Sequence, residues 1–127
     1  MEEISHLRNL CRNGQYRLAL TLIGPMVEKN PLSPFLLIFL AMMIQQDESE
    51  SDFIYNLEDA EKFLLSALKI NDQDIDAMIE LAHLYDTIVP KPQEAFKYAS
   101  LVLSKIKKIK LEMTEIRRDN KDYETEP

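Results

Sequence analysis

The chain has 127 residues, 22 of them acidic and 15 basic, with a formal net charge of −7 and 46% apolar residues. That length suits one domain, that apolar fraction is too high for a disordered chain, and the acidic balance argues against nucleic acid as the main partner. Glycine occurs only twice where average usage would give about nine, leaving few sites for hairpins, bulges or phosphate loops, so the fold is predicted all-α.

In chain order, Ile4, Leu7, Leu10 and Cys11 fall at helical spacing, and Asn13 with Gly14 forms a stop signal. A second helix follows with Tyr16, Ala19, Leu20, Leu22 and Ile23, and Pro25 is expected to shorten or kink it. Ser33 is the predicted N-cap and Pro34 the first residue of a third helix ending near Gln46. That helix is apolar on every side at first, which predicts burial on more than one flank.

Residues 47–56 carry acids and no Lys or Arg, and read as a loop. Asn56 is placed to cap a helix over 57–70, and Asp74 one over 75–88 whose apolar face holds Ile75, Met78, Ile79, Leu81, Ala82 and Tyr85. Pro90 and Pro92 break the pattern, and Pro92 opens a sixth helix with no stop before Asn120. In it Ala95, Ala99, Val102, Ile106, Ile109, Met113 and Ile116 recur at alternating steps of four and three, a heptad seam. One domain over 1–119 and an acidic flexible tail over 120–127 follow.

The helix pairs share an internal pattern. Leu37, Leu40, Ala41 and Ile44 parallel Met78, Leu81, Ala82 and Tyr85, while Ala19 and Ile23 parallel Ala60 and Leu64, then Ala95 and Ala99. With Gly14, Tyr16, Ala19 and Ile23 closing on Asn30 and Pro31, the chain resembles the tetratricopeptide repeat, as three degenerate repeats near 1–33, 34–73 and 74–108. The second repeat would carry about seven extra residues within 45–56, and the third one extra residue near Pro90 and Pro92.

The resemblance implies stacked helix hairpins that bind a protein or peptide on a concave face. By position, that face would present Ile4, Arg8 and Arg12, then Phe35, Ile38, Phe39, Met42 and Gln46, then Asp76, Ile79, Glu80 and His83. The Lys and Asn set with which such repeats clamp a C-terminal carboxylate is not matched. Whether Phe35, Phe39 and Met42 line an open groove or lie under the last helix is left open by the sequence.

The distal seam residues Ile106, Ile109, Met113 and Ile116 offer a surface for self-association or for a partner helix. Lys105, Lys107, Lys108, Lys110, Arg117 and Arg118 make the same segment basic. Asp72, Asp74 and Asp76 imitate a calcium loop, but Ala77 and His83 stand where glycine and a bidentate Glu belong, so they read as helix-capping acids. His6 and His83 lack clustered co-ligands and Cys11 lacks a sequence-near activating base, so neither a metal nor a cofactor is expected and the chain does not read as an enzyme.

A lone cysteine, no basic-apolar leader at Met1, and no apolar run long enough for a bilayer predict a cytoplasmic protein without membrane contact. The expected function is non-catalytic protein binding through the apolar groove, as in a small bacterial chaperone of a secreted subunit or a toxin-neutralising immunity protein. The alternatives are a scaffold self-associating through the heptad helix, possible as a homodimer, and a nucleic-acid-linked regulator using 105–118.

Overall fold

The computed structural model describes residues 2–46 and 55–124, and among these residues it is all-α, with six α-helices and no strand. They are α1 (Glu2–Arg12), α2 (Tyr16–Lys29), α3 (Pro34–Gln46), α4 (Leu57–Ile70), α5 (Ile75–His83) and α6 (Pro92–Asp119). Each helix packs on the next in chain order, and α3 also touches α5. Of the acidic loop expected over 47–56, all but Tyr55 and Asn56 lies outside the described residues.

Short-range chemistry sets the helix ends. Gly14 sits at φ +74°, the Gln15 N–H reaches the Leu10 carbonyl at 2.8 Å and the Gly14 N–H the Cys11 carbonyl at 3.1 Å, which closes α1 as a Schellman turn. Ser33 Oγ accepts from the Leu36 N–H at 3.3 Å, with Pro34 opening α3 as expected. Asn56 and Asp59 exchange side-chain and backbone bonds of 3.0 and 2.9 Å, a capping box at the start of α4. Asp74 Oδ1 accepts from the Ala77 N–H at 3.1 Å and caps α5.

A Cβ added at Gly14 meets nothing within 4 Å, so only the backbone resists substitution there. Gly14→Ala is expected to cost about 1–2 kcal/mol, the left-handed penalty for an L-residue, measured by urea unfolding. A neutral result would mean that the α1–α2 turn relaxes to another geometry.

Two expectations need correcting. Of the two effects expected of Pro25, to shorten or to kink α2, the shortening is not seen, because the helix runs on to Lys29. The residue before Pro25 is Gly24, which has no Cβ for the ring to strike, so one of proline's clashes is absent while the lost N–H bond remains. The helix expected over 75–88 is α-helical only to His83, and Leu84–Ile88 widens into a π-helical turn. There the Val89 N–H bonds the Leu84 carbonyl at 2.8 Å and the Lys91 N–H the Tyr85 carbonyl at 2.9 Å. A π turn accommodates one residue beyond the α-helical repeat.

The core is one cluster running through every helix. Leu7, Ile23, Leu40, Met43, Leu64, Leu81 and Leu84 are its largest fully buried side chains. Ala19, Ala41, Ala60, Ala67 and Ala77 have no exposure and let the helix backbones approach closely. The first half of the α6 seam joins this core: Val102 is buried, and Ala95 and Ala99 are half-buried against α5 and the π turn. After α6 the Asn120 amide caps the Ile116 carbonyl at 2.8 Å, and Lys121–Tyr123 forms a single 3-10 turn within the expected tail. No helix among the described residues is long and apolar enough to cross a membrane.

Candidate functional site

Helix α1 presents Arg8, Cys11 and Arg12 on one face, because positions three and four apart stack on the same side. Helix α3 presents Phe39, Met42, Met43 and Gln46 by the same spacing. With Tyr16 from the first turn of α2, these two faces enclose a groove of about 440 Å³. Phe35, expected at the centre of the groove, does not line it; its ring lies one turn before Phe39, 5.8 Å away and tilted by 37°.

The groove is open. Phe35 is 43% exposed and Met42 41%, although Leu36, Leu37, Leu40, Ala41, Met43 and Ile44 on the same helix are buried. No α6 residue lines it, and α6 packs on α5 and the π turn instead. Of the alternatives for Phe35, Phe39 and Met42, cover by the last helix is therefore not what the structure shows.

Five residues expected on the concave face meet here: Arg8, Arg12, Phe39, Met42 and Gln46. Ile38 does not belong to the open surface. It is only 7% exposed, because its position on α3 turns it into the core. Asp76, Ile79, Glu80 and His83 sit on α5 and do not line the groove. Asp76, Glu80 and His83 share one side of that helix, and burial pushes the Glu80 carboxyl up, with His83 opposing and Asp76 adding to the shift.

Cys11, Tyr16 and Met43 line the groove without having been assigned to it from sequence. Cys11 lies between two basic residues at helical spacing, which places it on their face. Burial pushes its thiol up, so it is protonated near neutrality and contributes an apolar wall. Two arginines and an apolar floor can hold a carboxylate beside hydrophobic side chains, but they supply no nucleophile paired with a base.

A wider hollow of about 640 Å³ at the far end of α6 is lined by Ile116, Arg117, Arg118, Lys121 and Tyr123, among others. Its walls come from one helix end and the turn after it, all of them exposed, so packing does not hold them in place. Among the described residues, no three His, Cys, Asp or Glu side chains come together as a metal-ligand set.

A polar cluster joins α4, the π turn and the start of α6. The Tyr85 hydroxyl donates to Glu61 Oε2 at 2.6 Å, and Lys91 Nζ reaches the same oxygen at 2.9 Å. Lys91 also lies 5.3 Å from the Tyr85 ring centre, and Tyr85 stacks on Tyr98 at 6.1 Å. Glu61, which holds the cluster together, is 24 residues from Tyr85 and 30 from Lys91, so no local spacing could have announced it. Comparison with known proteins finds no family model and no curated protein that matches the chain.

Proposed function

We propose that this chain is a non-catalytic protein-binding module whose α1–α3 groove holds an apolar segment of a protein partner that also carries a carboxylate. The observation that carries this reading is the exposure of Phe35 and Met42 on a helix otherwise committed to the core. A groove of about 440 Å³ takes a few side chains, so it suits a segment better than a folded domain. Flexible methionine and aromatic walls adapt to an apolar helix face, and Arg8 with Arg12 supplies the charge that selects an acidic residue beside it.

The resemblance to the tetratricopeptide repeat agrees with this reading, since that family binds peptides on a surface built from the first helix of each pair. Within it, a small cytoplasmic chaperone of a secreted subunit or a toxin-neutralising immunity protein is the proposed role, by analogy of scaffold.

A peptide-display selection against the full chain, followed by anisotropy titration of the selected peptides, tests the proposal. Apolar peptides bearing Asp or Glu should be enriched. Met42→Glu should weaken them by about 30-fold or more, the loss expected of a hot-spot residue, with an unchanged helical circular dichroism spectrum. Arg12→Glu should weaken acidic peptides by about tenfold and leave their Asn or Gln versions little changed. Peptides that bind the Met42→Glu variant as tightly as the parent would place the binding surface elsewhere.

A further inference from the structure

Val102 is the last buried residue of α6, yet the helix continues to Asp119, about 25 Å further at 1.5 Å per residue. Along this free length the seam residues Ile106, Ile109, Met113 and Ile116 are 44–53% exposed, and Leu103 is 67% exposed. A solvated helix of this length is marginal without tertiary contacts, and four apolar residues in heptad register are the pattern that a second helix covers.

We propose that a second copy of this chain covers this seam, with the two α6 helices antiparallel and crossing near residue 111. In that register Ile106 faces Ile116 of the second copy, and Ile109 faces Met113.

Charge selects both the occupant and the direction. The first part of the segment holds Lys105, Lys107, Lys108 and Lys110, whereas Glu112, Glu115 and Asp119 all lie in the second part, with Arg117 and Arg118. The segment is thus complementary to itself only head to tail. Antiparallel pairing sets Lys105 beside Asp119 of the second copy, twice by symmetry, and opposes the helix dipoles. Parallel pairing pairs Glu112 with Arg117 but sets Lys105 against Lys110 and the whole lysine stretch beside its copy. It would also crowd two helical bundles onto one end.

Lys105 adds a second complementarity. Its ammonium donates to the Gln73 side chain in the turn between α4 and α5. The end of the second copy's α6, with Arg117 and Arg118, therefore arrives beside exposed Asp72 in that turn.

At the centre Glu112 and Lys110 each approach their own copies, which limits affinity. The interface would bury on the order of 1,000 Å², the low end for specific association, so the dimer is weak and concentration-dependent.

Sedimentation velocity on the full chain between about 5 μM and about 500 μM tests this, a range chosen for a small interface. The chain should pass from monomer to dimer across it. Ile109→Asp should abolish the dimer while leaving thermal unfolding of the dilute monomer unchanged, because Ile109 lies beyond the bundle. Lys105→Glu should weaken the dimer by about tenfold, two exposed pairs turned repulsive, and adding Asp119→Lys should restore it. A monomer at every concentration, a trimer or tetramer, or a dimer indifferent to Ile109→Asp overturns the proposal. So does a Lys105→Glu variant that dimerises more tightly, which is the parallel result.

Discussion

Leu40→Ala is expected to cost about 3–5 kcal/mol of folding stability, read as a lower urea midpoint with little change in the slope of the transition. Leu40 has no exposure and lies in the middle of α3, the helix that packs on α2, α4 and α5. Truncating it removes apolar contacts toward several helices at once, and the void cannot close by shifting a single neighbour. A domain with a typical stability of about 5–15 kcal/mol would lose a large share of it. Met42→Ala, two residues along the same helix, is the internal control. Met42 is 41% exposed and faces the groove, so its truncation should cost less than about 1 kcal/mol. If the two variants cost the same, α3 is not divided into a core side and an open side, and the groove loses its basis.

That division of α3 shows how far the sequence could be read. Helix number and most boundaries follow from signals that act within four residues: the Schellman glycine at 14, the Ser33, Asn56 and Asp74 caps, and the proline at the start of α6. These are local free energies, so they survive in the fold. Pro25 stays within α2 instead of ending it, since Gly24 before it presents no side chain to the ring and removes one of proline's clashes. Residues 35–44 are so uniformly apolar that periodicity cannot tell which side faces which neighbour, and Ile38, assigned to the groove by its position in the repeat resemblance, is buried instead. The structure resolves this by packing α2, α4 and α5 around α3 and leaving Phe35 and Met42 over. Of the α1 residues assigned by the same resemblance, Arg8 and Arg12 line the groove and Ile4 does not. The cluster around Tyr85 was not legible, since its geometry depends on the π turn and on contacts to two other elements.

Glu61→Ala is expected to cost about 1–3 kcal/mol, because it leaves the hydroxyl of Tyr85, a residue only 3% exposed, without its acceptor. Lys91 loses its ion pair in the same step, but its side chain is 49% exposed and that loss is small. Glu61→Gln separates charge from hydrogen bonding, since the amide oxygen can still accept from Tyr85.

The pH dependence of stability has a definite sign. The Tyr85 hydrogen bond first, and then Lys91, hold the Glu61 carboxyl below its ordinary 4.5, against the opposing effect of burial. A carboxylate with a depressed folded-state value contributes stability that is present above the unfolded value and lost as pH falls through the folded one. The difference in unfolding free energy between the parent and Glu61→Gln should therefore be flat near neutrality and shrink as pH drops below about 4.5. On the alkaline side, burial first and Glu61 second push the Tyr85 phenol far above its ordinary 10.0. The fold thus favours the protonated phenol, and stability falls as pH rises past 10.0, less steeply in Tyr85→Phe, which cannot ionise there. Chemical denaturation across both limbs measures these slopes. Equal acid slopes for the parent and Glu61→Gln would mean that the Glu61 carboxylate does not join α4 to the π turn.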